Sequence, residues 1–460
     1  MGIIRNPLLN PELRELLAQG DAAALRDFCQ EEHPATVAEM LSGLDGAEAW
    51  AVLRHADAVR RAEVFSHMGE DLQADIIGVL RREEIAGLLS DMPPDDRADL
   101  FKRMPEQLRE SVLPALAQAE REDIRRLASY REGTAGAAMT SDYATLAPGM
   151  TAAQAVEHLR EVAPDKETIY YAYVVDDHRR LIGFVSLKDL IVARRDATVS
   201  DLMHGEVISA RVDDDQEEVA RKIQKFDLLA VPVVNETGAL VGIITHDDAI
   251  DIITQEHTED MEKLMAIAGR HEAGVYLKTP SWEHFRNRAG WLVVLAVLGM
   301  VSGYIVQSFE GLLMQFTILA AFMPMLADTG GNTGSQSATL VVRALALKEI
   351  SPGDLVRVLF KELKVSLMLG LLLAVLAFGR VMVFDGARGA GSSPVLLGVA
   401  IAVALGLQVV TATLIGGLLP MIAARLKLDP AIVASPALTT VVDITGLLIF
   451  FTTARLLLGI

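Results

Sequence analysis

Residues 288–460 hold about five hydrophobic spans, and the fifth carries a carboxylate, Asp443, in the middle of 431–458. Roughly 20 apolar residues are needed to cross a bilayer as a helix, so this part of the chain is expected to fold in a membrane. An isolated ionised Asp at a bilayer centre costs about 2.5–3.5 kcal/mol on insertion scales. Asp443 is therefore expected either to face a polar pathway or to hydrogen-bond a neighbouring helix. The candidate spans are 291–309, 312–347, 358–383, 395–424 and 431–458. The second is interrupted by Asp328-Thr-Gly-Gly-Asn-Thr-Gly-Ser-Gln336. Its Gly330, Gly331 and Gly334 let helices approach closely or let the backbone open, while Asn332, Thr333 and Gln336 supply oxygens. Irregular polar backbone survives in a membrane only against protein or a water-filled cavity. The fifth span adds Pro436, Thr439 and Thr440, and a kink near Pro436 would free a carbonyl, that of Ile432, one turn earlier. Two polar helices together line a pathway better than either alone.

Charge divides the chain. Residues 281–460 carry 12 Lys and Arg against 9 Asp and Glu, whereas residues 1–280 carry 30 against 52, a net of −22. An acidic soluble region repels nucleic acid and anionic lipid and attracts cations, although a merely solvated acidic surface has the same composition. Cys29 is the only cysteine, which leaves no disulfide framework and no Cys-rich metal site. The N-terminus lacks the apolar stretch of a signal peptide, so the first 280 residues are expected in the cytosol. Basic residues in short loops set orientation. The flanks holding Arg286, Arg288, Arg343, Lys348, Arg357, Lys361, Lys364, Arg425 and Lys427 read as internal, and those holding Arg380, Arg388 and Arg455 as external. A multi-pass protein of the cytoplasmic membrane with an external C-terminus follows.

Up to about residue 130, apolar residues recur at helical spacing in short segments punctuated by Pro93-Pro94, Pro105 and Pro114, which predicts stacked short helices in a superhelical domain. Residues 138–256 contain an internal repeat. Tyr173-Val-Val-Asp-Asp-His-Arg-Arg-Leu-Ile-Gly183-Phe-Val-Ser-Leu-Lys-Asp189 realigns with Pro232-Val-Val-Asn-Glu-Thr-Gly-Ala-Leu-Val-Gly242-Ile-Ile-Thr-His-Asp-Asp248, a spacing of 59. Each half predicts strand, turn, strand and helix, with a preceding amphipathic helix at 152–159 and 216–223. The pattern resembles a tandem pair of CBS domains, an α+β architecture that usually regulates rather than catalyses. In that family Ser186 with Asp189, and Thr245 with Asp248, hold positions that often bind an adenosine ribose; as helix N-caps they need no ligand. The first pair is the favoured nucleotide site, for ATP or another adenosine nucleotide.

Carboxylates then mass in two stretches, 213–218 and 247–262. They either sit solvated or share divalent cations, and a neighbouring cation pathway favours the second reading.

Phe322-Met-Pro-Met-Leu-Ala-Asp-Thr-Gly-Gly-Asn-Thr-Gly-Ser-Gln-Ser-Ala-Thr-Leu-Val-Val-Arg343 resembles the second membrane helix of MgtE magnesium transporters. Asp429-Pro-Ala, Ser435-Pro436 and Val441-Val-Asp443-Ile-Thr-Gly446 resemble the fifth. The order of segments matches along essentially the whole chain. The resemblance implies a helical N-domain at 1–132, CBS domains at 133–200 and 201–260, a connecting plug helix at 261–285, and a five-helix transmembrane pore domain at 286–460. It implies a homodimer with its pore on the two-fold axis. Asp443 would hold hydrated Mg²⁺ in the pore with Asn332, Thr439 and Asp328 nearby, and Asp429 would lie near the cytosolic mouth. Cytosolic Mg²⁺ sensors would be Glu63, Asp95 and Asp99 of the N-domain, and Asp215, Glu217, Asp227, Asp248, Asp251, Glu256, Glu259 and Asp260. Asp328 stands where the family often has a small neutral residue, and Ser435 where an Asn can precede the Pro.

Mg²⁺ gives up its water reluctantly, so a selective pore should grip the hydrated ion through oxygens. No Walker sequence appears, and none is needed. Two positive charges gain about 4.6 kcal/mol per 100 mV of inside-negative potential, from roughly 2.3 per charge. No nucleophile–base pairing or metal-ligand histidine motif stands out, so a channel-like transporter is expected rather than an enzyme. High cytosolic Mg²⁺ would bridge acidic faces and close the pore. Two other readings fit the same residues: a membrane-anchored nucleotide-sensing regulator, and a transporter for Co²⁺ or Mn²⁺ or one coupled to Na⁺ or H⁺.

Overall fold

A computed structural model describes residues 10–268, 279–385, 393–433 and 436–459. The chain forms two compact units, one built on the residues up to Glu256 and the other mainly from His257 onward.

The first unit begins with ten short α-helices, from Asn10–Gln19 to Gln118–Ala128. Their starts are fixed by local chemistry. Asp45 accepts from the Glu48 amide while Glu48 reaches back to the Asp45 amide, a capping box, and Asp57 caps Ala58–Ser66 through the Arg60 amide. The helices share one apolar core around Leu41, Leu53, Phe65, Ile76, Ile85 and Leu89. The expected stack of short helices is what forms.

The repeat folds as two equivalent three-stranded sheets: β1 (Tyr143–Leu146), β2 (Thr168–Val175) and β3 (Leu181–Ser186); then β4 (Ala210–Arg211), β5 (Ala230–Val234) and β6 (Leu240–Thr245). In each sheet the first strand runs parallel to the second and the second antiparallel to the third. The short strands β1 and β4 extend the predicted hairpins. Registers repeat as well, Val174 opposite Gly183 and Val233 opposite Gly242. Both glycines are needed for close approach: a Cβ on Gly183 would lie 3.0 Å from the His204 carbonyl oxygen, and one on Gly242 2.8 Å from that of Thr140. At the hairpin turns the repeats diverge. Gly238 has φ +79°, and its counterpart Arg179 has φ +60°, a left-handed conformation costing a non-glycine residue of order 1–3 kcal/mol. The two turns pair: Leu240 N donates to Arg179 O and Leu181 N to Gly238 O.

Among the described residues four helices are long and apolar enough to cross a membrane, Ser281–Ser308, Pro352–Phe384, Pro394–Arg425 and Ala437–Leu458. The remaining expected span is the 29-residue helix Ile318–Ala346, long enough to cross but diluted by its polar run. Of the two alternatives for its glycines, close approach is the one taken, since the backbone is continuous through Asp328–Gln336. Thr329 and Thr333 donate their hydroxyls to the carbonyls of Met325 and Thr329 one turn back, at 2.7 and 2.8 Å, so the polar side chains are satisfied without opening the helix. The last helix starts at Pro436, with a separate short helix Pro430–Val433 before it; the Ser435 position lies outside the described residues.

Helix Pro394–Arg425 packs against Ile318–Ala346, Leu355–Arg380 and Pro436–Leu458 and is the most enclosed of the long apolar helices. Its approach to Ile318–Ala346 depends on paired glycines: a methyl on Gly416 would come within 2.9 Å of the Gly334 carbonyl carbon. Gly416→Ala should therefore destabilise the membrane unit by about 1–3 kcal/mol, read as a lower thermal midpoint of purified protein in detergent. Gly299→Ala, whose new Cβ meets nothing within 4 Å, should leave the midpoint unchanged.

Candidate ion pathway and cytosolic acidic cluster

In the membrane unit, glycines bring the polar faces of Ile318–Ala346 and Pro436–Leu458 together. A Cβ on Gly331 would touch the Thr439 methyl at 3.4 Å, and one on Gly330 would meet Val442 at 3.0 Å. Asp443 follows on the same helix, half-buried, and its Oδ1 is enclosed with no hydrogen-bond partner. A buried carboxylate oxygen left unsatisfied is costly, and a cation or its water shell would satisfy it. Asn332 and Asp328 are exposed on the second helix and bonded to each other, Asn332 Nδ2 donating to Asp328 Oδ1 at 3.1 Å.

Gln408 and Glu362 are further polar residues within apolar spans. Gln408 is fully buried in Pro394–Arg425, fills the notch left by Gly330 and Gly446, and donates to the Leu326 carbonyl at 2.8 Å. Glu362 accepts from Ser337 at 2.8 Å. Neither was among the expected site residues; the only signal in the sequence was a polar side chain inside an apolar run.

Asp429 does not stand open. Its Oδ2 lies 2.9 Å from Lys263 Nζ, which also reaches Glu259 at 2.7 Å, while its Oδ1 caps Pro430–Val433 through the Ala431 amide. Burial opposes the Lys263 charge, but the hydrogen bonds and charges of Glu259 and Asp429 outweigh it and raise the ammonium's pKa. Beside it, Leu264 packs on the cluster of Ala338, Ala412, Leu438 and Val442 from three membrane helices.

In the first unit, helix Pro94–Arg103 turns Asp95 and Asp96 toward the CBS pair. Asp95 as a whole is half-buried, yet its Oδ1 is enclosed and unpartnered. Burial, then the charges of Asp96, Asp248 and Glu167, hold its carboxyl well above the usual range. Asp248 accepts from the Thr245 hydroxyl at 2.6 Å; burial, opposed by that bond and reinforced by Asp247 and Asp96, pushes it up to about 6. Glu167, at the open rim, is pushed up to about 7 by partial desolvation and by Asp248, Asp247, Asp96 and Asp142. Asp251 is raised by desolvation and by Asp247, with His67 opposing.

The remaining expected sensors have other partners, although the charge of Asp99 also bears on Asp96. Glu63 pairs with Arg60 at 3.4 Å, and Asp99 with Lys102 at 3.2 Å. Asp215 caps Gln216–Phe226, where Glu217 pairs with Arg221, and Glu256 accepts from Gln216 at 2.8 Å. Asp227 is the left-handed C-cap of that helix. Asp260 lies beyond Glu259 on the helix His246–Leu264, and the connecting residues 269–278 lie outside the described residues. Among the described residues no three His, Cys, Asp or Glu side chains converge to hold a metal ion unaided. Ser186 caps Leu187–Val192 and donates to Asp189 at 2.6 Å, so the capping geometry is present at the candidate ribose site.

Residues 323–453 match MgtE, a divalent cation transporter family; residues 32–133 match the MgtE intracellular N domain, and 135–196 and 199–255 the CBS domain. The magnesium transporter MgtE of Thermus thermophilus is 40% identical over 97% of this chain and 98% of its own. The chain belongs to the MgtE family of magnesium transporters. The MgtE of Bacillus subtilis is 36% identical over 85% of this chain and 87% of its own. A crystal structure of the cytosolic domain of the Mg²⁺ channel MgtE in complex with ATP is 38% identical, covering 52% of this chain and 98% of that one with a TM-score of 0.50. The soluble part of a magnesium transporter is 33% identical, covering 54% and 97%, with a TM-score of 0.51.

Within this MgtE-family chain the cluster has a definite pH signature. Its carboxyls titrate near 4 when unfolded and at about 6 and about 7 for Asp248 and Glu167 when folded. Between those values the folded state binds more protons, so stability falls as pH rises through that window. In buffer free of divalent ions, the thermal midpoint of the cytosolic unit should drop from pH 4.5 to 7.5 (about 4 to about 7 in carboxyl terms). Asp95→Asn, which removes one repelling charge, should raise the midpoint at the upper end and flatten the profile. An unchanged profile in the variant would mean that Asp95 does not share the repulsion.

Proposed function

We propose that this protein admits Mg²⁺ across the cytoplasmic membrane through a channel-like pore, closed when cytosolic Mg²⁺ binds its acidic faces. The crowded carboxylates between helix Pro94–Arg103 and the CBS pair carry the gating reading, because a divalent cation is the ligand that turns their mutual repulsion into attraction. The absence of a three-ligand cage among the described residues suits an ion that keeps several waters. A homodimer would set two Asp443 side chains, about −2, against the +2 ion, with Asn332, Thr439 and Asp328 lining the approach.

Lys263 and Leu264 support a plug role for the end of the helix His246–Leu264. The ammonium neutralises Asp429, and the apolar side chain beside it packs across three membrane helices. The membrane potential supplies the driving force, and no coupling ion is required. Cytosolic Mg²⁺ favours the closed state only by binding it more tightly than the open one. The ATP complex of the similar cytosolic domain favours an adenosine nucleotide at Ser186 and Asp189 as a second ligand.

Flux of Mg²⁺ into liposomes holding the purified protein should fall as Mg²⁺ on the cytosolic face rises, and Asp443→Ala should abolish it. No flux under any condition would transfer the weight to an anchored regulator; equal competition by Co²⁺ and Mn²⁺ would remove the preference for Mg²⁺. Lys263→Gln should leave a flux at high cytosolic Mg²⁺ several-fold above wild type, since the tie to Asp429 is lost. A fully closed variant would show that the ion pair does not hold the plug.

A further inference from the structure

We propose that the cavity between helix Gln118–Ala128 and the first CBS domain binds a polyphosphate anion, either the free ion or the phosphate chain of a nucleotide. The cavity holds about 430 Å³, several times the volume of one phosphate, and its walls include Arg126, His158, Lys166, Arg179, Ser141 and Tyr143. No carboxylate is among its described walls, in a region whose net charge is −22. Long-range potential there disfavours anions, so the gathering of cations is a local feature of this cavity.

Pairing with carboxylates explains part of that gathering. Asp123 lies against Arg126 and also accepts from Arg97 at 3.4 Å, and Asp142 lies 3.6 Å from Lys166. Three cations thus share two carboxylates. Arg179 is the surplus: its guanidinium donates to the Tyr143 hydroxyl at 2.9 Å and to no carboxylate among the described residues. Tyr143 is itself fixed by donating to the Leu240 carbonyl at 3.0 Å.

The backbone supplies a second, independent observation. The twin turn of the repeat uses Gly238 at the left-handed position, and this turn spends an arginine there instead. Asp227, Ala266, Lys348 and Lys427 also adopt a positive φ, but at this turn the side chain is a guanidinium facing the cavity, and a planar guanidinium is well suited to phosphate oxygens. The cavity is separate from the candidate ribose site, because the Arg179 turn and Ser186 lie at opposite ends of β3. An anion drawing on Arg126 would compete with Asp123, whose other partner Arg97 belongs to the helix carrying Asp95 and Asp96. Occupancy would thereby reach the acidic cluster.

The test is calorimetric titration of the full-length protein in detergent, without divalent ions so that no chelate forms, using sodium tripolyphosphate and separately ATP. Arg179→Gly is the informative variant, since glycine is at home at this φ and the fold should keep its thermal midpoint. Saturable tripolyphosphate binding that weakens tenfold or more in Arg179→Gly and persists in Asp189→Ala is expected. Loss of ATP binding in Arg179→Gly would identify the nucleotide as the source, and its persistence would identify the free polyphosphate. Absence of tripolyphosphate binding by wild type, or unchanged binding by Arg179→Gly, overturns the proposal.

Discussion

Negative charge facing negative charge, where helix Pro94–Arg103 meets the CBS pair, is the constraint on which the cytosolic architecture depends. Two unit charges 4 Å apart repel by about 4 kcal/mol at an effective dielectric of 20, comparable with much of a domain's net stability. Protonation relieves this repulsion, and on the proposed gating a cation would relieve it as well. Asp95 has an enclosed, unpartnered oxygen, and its neighbours Asp248 and Glu167 hold protons up to about 6 and about 7. Near neutral pH a contact of this kind is poised. On the proposed gating, a divalent ion would supply the missing charge and close the contact, and its loss would loosen it.

The membrane unit meets the complementary problem, polar groups that must be kept among apolar helices. Its answer is small residues. Gly330, Gly334, Gly416 and Gly446 leave notches into which backbone or the Gln408 amide fits, and Thr329 and Thr333 return their hydroxyls to their own helix. Once these groups are satisfied, the enclosed Asp443 Oδ1 stands out among the described residues of the membrane helices as a carboxylate oxygen without a hydrogen-bond partner.

Much of this was legible in the sequence, and the misses share a physical cause. Periodicity and the 59-residue repeat located the elements because side-chain spacing encodes them directly. The matched glycines Gly183 and Gly242 even marked equivalent registers. For the polar run Asp328–Gln336 the sequence left open whether its glycines allow close approach or an opened backbone, because hydroxyls that bond one turn back look the same in a sequence as hydroxyls that leave the helix; the fold takes the first. Glu167, Asp96 and Lys263 were missed because each acts through a partner distant in the chain: Glu167 at the edge of β2 faces carboxylates some eighty residues on, and Lys263 reaches Asp429. Spacing within a segment says nothing about such pairs. An acidic stretch can be read from composition, but which of its members converge is decided by the fold.

The repeat also shows how one pattern comes to carry two chemistries. Thr245 and Asp248 in the second half, and Ser186 and Asp189 in the first, make the same hydroxyl–carboxylate bond at 2.6 Å. Their surroundings set them apart. Asp248 lies in the field of Asp247 and Asp96 and is driven toward protonation, whereas the Ser186 hydroxyl and His204 hold Asp189 below the usual carboxylate range. The first is thus the carboxyl a nearby cation would most relieve, whereas the second stays an ionised acceptor. The hairpin turns separate in the same way, glycine in one half and a strained arginine in the other. Duplication supplied two equivalent frames, and the charges placed around each decide what it attracts.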